Sequence, residues 1–141
     1  MPRVGLEIRG YNRVRNNLRK LVRMMPDIVE PIGYKWAQRT RVKLQKQKYP
    51  PPPPDSKYKR TGLLANKWAV EHPKVGRWHI VNKAENKGRY YASYVVGDER
   101  GDNQAWMHTG RWWIASDIVN EEIQELTNEL GKEIEKAWRS P

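Results

Sequence analysis

The chain has 141 residues, no cysteine and a formal net charge of +11, with seven Trp, seven Tyr and no Phe. Its length fits one domain, which at this size buries about 68 to 70% of the surface its unfolded chain exposes, and the absence of cysteine excludes disulfides, thiolate metal sites and a cysteine nucleophile. No apolar run approaches the roughly 18 to 20 residues that span a bilayer, and the start MPRVGLEIRG lacks the apolar middle of a signal peptide, so the expectation is a soluble, non-secreted protein with no membrane partner.

The charge is uneven. Residues 1–60 hold 16 basic and 4 acidic side chains, net +12, whereas residues 61–141 hold 11 and 12, net −1. Two readings fit: a solvated surface, or a face for nucleic acid or an acidic protein. The Trp and Tyr content favours interfaces, because both side chains pair a large apolar area with a polar group.

In chain order, Val4, Leu6 and Ile8 alternate with Gly5, Glu7 and Arg9, the period of a short half-buried strand. From Tyr11 the period changes. Tyr11, Val14, Leu18, Leu21, Val22 and Met25 fall on one helical face, with Arg13, Arg15, Arg19, Lys20 and Arg23 mostly on the other. Burial of that stripe would make Leu18→Asp among the most damaging changes. Pro26 is expected to break the helix, with Asp27 and Glu30 capping a second that carries Pro31 near its first turn and runs to about Lys48. Its buried stripe would be Ile28, Ile32, Trp36, Ala37 and Leu44, and its remaining faces basic through Lys35, Arg39, Arg41, Lys43, Lys46 and Lys48.

Pro50 to Pro54 favour a stiff polyproline II spacer. Arg60-Thr61-Gly62 is a turn in which Gly62 is free to take positive φ. Trp68 and Val70, then Trp78, Ile80 and Asn82, suggest an antiparallel hairpin through His72-Pro73-Lys74-Val75-Gly76. The apolar run Tyr91 to Val96 reads as a further, central strand. A polar loop follows over residues 97–113, long enough to be functional, and reads as the part that meets a partner. Ser116 then caps a helix whose Ile118, Val119, Ile123, Leu126, Leu130, Ile134 and Trp138 form one stripe. From Asp117 to Glu135 that helix carries seven acids and one Lys, a natural mate for the basic helices within one subunit or across to the next.

Segregated helices and strands argue α+β: a small antiparallel sheet of about four strands packed with two N-terminal basic helices and one long acidic C-terminal helix. The organisation expected is a single domain over residues 1–141, comprising a strand and two helices (1–48), a Pro-rich connector (49–60), antiparallel strands (61–96), the interaction loop (97–113) and the last helix (114–141).

Chemistry is hard to find in the pattern. His72, His79 and His108 have no ligand spacing, and Asp98, Glu99 and Asp102 lack the spacing of a calcium loop and sit beside Arg100. No serine has nucleophile-elbow glycines, and no Gly-rich loop cradles a phosphate. The expectation is no enzyme, no cofactor and no metal.

The order of features carries one resemblance. A short strand, two basic helices, a proline, Arg60-Thr61-Gly62 with Leu64 and Trp68, Tyr91-Ala92-Ser93-Tyr94-Val95-Val96-Gly97 and a final helix resemble, over nearly the whole chain, a tail-component family of tailed bacteriophages named for gene product ten of a lambdoid phage. The resemblance implies a structural virion protein, assembled in the bacterial host cytoplasm. As a neck or tail-completion component it would form a homo-oligomeric ring at the head-to-tail junction, against neighbouring neck and tail proteins and the channel's genomic DNA. On physical grounds the expected subunit interface uses Trp106, Arg111, Trp112 and Trp113 as anchors, with Asp98, Glu99 and Arg100. The expected face for DNA or an acidic partner is Arg13, Arg15, Arg19, Lys20, Arg23, Lys35, Arg39 and Lys43. The alternative is a nucleic-acid-binding module using residues 9–48; a third reading is a small hydrolase built on the loop carboxylates and His108.

Overall fold

A computed structural model describes residues 5, 7, 9–51, 55, 62–98 and 102–139. Its elements are a long helix α1 (Tyr11–Gln45), a helical turn α2 (Leu63–Asn66), strands β1 (Trp68–Lys74), β2 (Arg77–Asn82), β3 (Glu85–Asn86) and β4 (Arg89–Tyr90), a short helix α3 (Ala92–Val96), a 3-10 turn (Trp106–His108) and a second long helix α4 (Ala115–Arg139). Helices and small antiparallel sheets coexist, as in α+β. The expected strand at Val4–Ile8, most of the proline run and Arg60-Thr61 fall outside the described residues.

The two expected N-terminal helices are one. Pro26 and Pro31 both lie inside α1, where each lacks the N–H that would bond the carbonyl four residues back. Such a proline costs about 3 kcal/mol or more, so tertiary contacts must hold the helix on. They cluster around Pro31. Glu30 Oε1 accepts from the Gly76 backbone N–H at 2.6 Å, and Glu30 Oε2 lies 2.9 Å from His72 Nε2. His72 stacks on Trp78, ring centroids 3.8 Å apart, and the Trp78 indole packs closely against Gly33 of α1. Asp27 is therefore an interior helical residue, not a cap.

The β1–β2 hairpin appears as the alternation predicts, with Trp68 opposite Asn82 and Val70 opposite Ile80. Its turn is tighter than expected, at Val75-Gly76, because β1 continues through a bulge between Glu71 and Lys74. Pro73, which has no N–H to give a ladder, sits in that irregularity. A second two-strand ribbon, β3–β4, was not legible as strands. Its turn has Lys87 at φ 51 and Gly88 at φ 76, and two consecutive positive φ values are what a right-twisted two-residue hairpin needs.

Tyr91 to Val96 is not a strand. Ala92 and Val96, four apart, are its buried residues, so one helical turn satisfies the burial that a strand was expected to supply. A short apolar run is ambiguous between the two periods. At the other end α4 begins at Ala115, placing Ser116 inside its first turn.

The core lies where the end of α1 meets the start of α4. Leu44, Leu64, Trp68, Ala84, Ala92, Val96, Trp112 and Ile118 form it. Tyr49 ties it together: Trp68 Nε1 donates to the Tyr49 hydroxyl at 3.1 Å, and that hydroxyl donates to the Leu44 carbonyl at 3.0 Å. Burial pushes the Tyr49 phenol above its ordinary value.

Gly33 tests the joint between α1 and the hairpin. By helix propensity alone, Gly33→Ala would stabilise by about 1 kcal/mol. A Cβ there would come within 2.8 Å of Trp78 Cδ1 and closer still to its Nε1, and overpacking of that kind costs about 1 to 3 kcal/mol. Urea unfolding of Gly33→Ala should show a lower midpoint than the parent; a higher one would mean that Trp78 yields freely.

Candidate interaction surfaces

The basic residues divide into two groups. Arg39 meets Glu122 at 3.0 Å, Glu125 at 3.1 Å and Glu129 at 3.6 Å, and Lys43 meets Glu121 at 3.0 Å and Glu122 at 3.1 Å. These pairs set α1 and α4 antiparallel, since the later residue of α1 engages the earlier part of α4. Arg39 and Lys43, expected on the face for DNA or an acidic partner, are thus engaged within the chain. Glu122 is the buried member, its side chain 11% exposed; on the facing stretch of α1, Thr40 is fully buried, its hydroxyl donating to the Trp36 carbonyl at 2.8 Å.

The other six, Arg13, Arg15, Arg19, Lys20, Arg23 and Lys35, are exposed. Five of them belong to the first half of α1, which has no acid before Asp27. With Arg39 level with Glu125 and equal rises along both helices, the end of α4 at Arg139 comes level with about residue 25 of α1, leaving roughly 21 Å of α1 beyond it. On this arm most of the apolar stripe expected to be buried stands open: Tyr11 is 63% exposed, Val14 49%, Leu18 48% and Val22 68%, while Leu21 and Met25 are half-buried. Leu18 is not among the core residues described, because α4 ends before its level on α1.

The loop anchors divide as well. Trp106 is 84% and Met107 56% exposed, on the 3-10 turn. Trp112 is buried, its ring centroid 6.0 Å from that of Tyr49, and Trp113 is half-buried, its ring 5.5 Å from Tyr49 and 6.3 Å from Trp68. Of these two, expected as interface anchors, Trp112 belongs to the core and Trp113 packs against it, both beside the Tyr49 ring. Arg111 donates to the Pro51 carbonyl at 2.7 Å, fastening the loop to the start of the proline run. Asp98 accepts from Asn103 Nδ2 at 2.6 Å, and the Asp98 N–H donates to the Asp102 carbonyl at 2.7 Å, closing the loop on itself. Glu99 and Arg100 lie outside the described residues.

Between the hairpin and the last helix runs a trough of about 960 Å³, walled by β2, α3 and the start of α4. It was not foreseen from the sequence, because its walls are contributed by segments far apart in the chain. Among the described residues, no three His, Asp or Glu side chains gather in a way that would hold a metal ion, and no helix is long and apolar enough to cross a membrane. His72 is on Glu30 and Trp78, His79 is exposed on β2, and His108 lies with its ring 6.0 Å from that of Trp112. Comparison with protein-family models, with curated proteins and with solved structures returns no match.

The ion-pair seam has a pH signature. Burial pushes the Glu122 carboxyl up, but the hydrogen bonds and charges of Lys43 and Arg39 outweigh it and hold the group below 4.5. The bonds to Glu121 and Glu122 hold the Lys43 ammonium above 10.5. A depressed carboxyl contributes stability that is complete above its unfolded value and lost as pH falls through its folded one; a raised ammonium contributes stability complete below its unfolded value and lost as pH rises through its folded one. The seam is therefore intact between about pH 5 and 10. Thermal melts across that range and below it should give Glu122→Gln a lower Tm than the parent at neutral pH and a shallower loss on acidification; identical acid limbs would show that the seam does not govern them.

Proposed function

We propose that this chain is a structural virion protein of a tailed bacteriophage, a neck or tail-completion component whose copies close into a ring at the head-to-tail junction without catalysing a reaction. The observation that carries the reading is the arm of α1: Tyr11, Val14, Leu18 and Val22 project beyond the end of α4 and stand exposed among the described residues. Isolated helices of this length are marginal in water, and most helical stability comes from packing an apolar face. An arm that leaves one chain and seeks a different surface on another is a heterologous contact, the kind that closes rings when the rotation permits. The resemblance of Arg60-Thr61-Gly62-x-Leu64 and Tyr91 to Gly97 to the phage tail-component family supplies the setting, with neighbouring neck and tail proteins as further partners.

One observation favours a second reading, a nucleic-acid-binding face. The arm's cations Arg13, Arg15, Arg19 and Arg23 flank the stripe without acidic neighbours before Asp27, which in a ring places positive charge where channel DNA passes and in a free protein makes a polyanion site.

Leu18→Asp separates assembly from folding. An exposed position shifts monomer stability by no more than about 0.5 kcal/mol, so the variant should keep the parent's chemical unfolding midpoint yet lose its oligomers in analytical ultracentrifugation. A parent that sediments as a monomer at every concentration removes the ring. For the second reading, replacing Arg13, Arg15, Arg19 and Arg23 with Ala should flatten the dependence of log affinity for duplex DNA on log salt; an unchanged slope removes the arm as its site.

A further inference from the structure

The trough described above runs along a strand edge. Trp78, His79, Ile80, Val81, Asn82 and Lys83, six consecutive residues, all line it. Side chains of consecutive strand residues point to opposite faces, so a cavity that touches every one of them, together with Trp68 and Glu71 of β1, spans one face of the hairpin and wraps round the outer edge of β2. The first sheet holds only β1 and β2, which leaves β2 a second edge without a strand among the described residues. The register says which groups face it. Lys83 N–H donates to the Lys67 carbonyl at 2.9 Å, so that pair is of the hydrogen-bonded kind, and pairs alternate along an antiparallel ladder. Ala69–Val81 and Glu71–His79 then share its kind, and the N–H and C=O of Ile80 and Asn82 point away from β1, into the trough.

We infer that this edge is completed by residues 4–8 of a second copy of the chain, added as a strand along β2. The inference rests on the homo-oligomeric reading above and specifies its contact. Three observations choose the occupant. First, the segment has the sequence pattern of a half-buried strand, Val4, Leu6 and Ile8 alternating with Gly5, Glu7 and Arg9, and the Arg9 guanidinium meets Glu7 at 3.3 Å, an ion pair two residues apart that extended backbone brings to one face. Second, the lengths agree, since six residues of β2 span about 20 Å and five residues of the segment about 17 Å. Third, the segment cannot reach its own trough. Trp78 sits on Gly33 of α1, and the helix between Gly10 and Gly33 is about 35 Å long, while residue 4, six residues from Gly10, extends no more than about 22 Å. The α1 arm carries it away from its own β2 and toward another's.

In the assembled state the apolar side of the segment turns into the trough, toward Trp36, Val96 and Val119, and its backbone takes the outward bonds of Ile80 and Asn82. Main-chain bonding of this kind gives affinity, and the alternate side chains give register. A free strand edge is otherwise a template for unwanted pairing, and a partner strand removes it.

The chain has no cysteine, so a disulfide scan is clean. Full-length chains carrying Gly5→Cys, Glu7→Cys or Arg9→Cys, all exposed, are each mixed with full-length His79→Cys, also exposed, and oxidised mildly. At least one mixture should give a reducible heterodimer at about tenfold the yield of either single-cysteine chain alone. In the parent, the Ile80 and Asn82 amides should exchange with solvent about tenfold slower in the oligomer than in full-length Leu6→Pro, which removes a ladder donor. Oligomers that persist with no cross-link above controls and no change at those two amides overturn the inference and leave the ring standing. A parent that is monomeric throughout overturns both, and a cross-link formed within one chain carrying both cysteines overturns the inference alone.

Discussion

Glu122 is a carboxylate taken out of water, and the molecule is arranged so that this is tolerable. A buried charge is stable only when it is paired and hydrogen-bonded, and Arg39 and Lys43 do both from the facing helix. The pairing fixes the direction and the axial register of α4 against α1, and from that register follow the place of the core at one end of the helix pair and the emergence of the arm at the other. The exposed outer pairs to Glu121, Glu125 and Glu129 add little energy individually. Their contribution is to orient the two cations toward the buried carboxylate.

The hairpin is the second brace. By way of Glu30, His72, Gly76 and Trp78 it grips α1 on both sides of Pro31, the point at which the backbone is weakest. A helix interrupted at that point would lose the lever that carries the arm outward, so the two prolines and the brace belong to one design: a stiff second half bound to the body and a first half that leaves it. Among the described residues, Leu44, Val96 and Thr40 are the largest side chains below 2% exposure.

Much of the local structure could be read from residue order alone, and for a physical reason: periodicity is a short-range property. The alternation of Trp68, Val70, Trp78, Ile80 and Asn82 specified the hairpin, and the spacing of Ile118, Leu126, Leu130 and Ile134 specified the last helix. The acidity of that helix already pointed to basic helices as its mates. The unbalanced charge of residues 1–60 and the lack of any spacing that suits a nucleophile or a metal were also plain before any fold was known.

What the tertiary structure decided is everything that depends on which distant segment lies opposite. Whether Pro26 and Pro31 break a helix turned on contacts from β1 and β2, more than thirty residues later. The short run Ala92–Val96 took the helical period because only two of its residues needed burial. Trp112 and Trp113 went inward and Trp106 outward although all three share one loop, since the Tyr49 ring packs against both of the first two and Trp68 against Trp113. Arg39 and Lys43 were claimed by Glu122 while Arg13 to Arg23, identical in kind, were left exposed. Amphipathic pattern states that a face prefers to be covered; only long-range geometry states whether its own chain covers it.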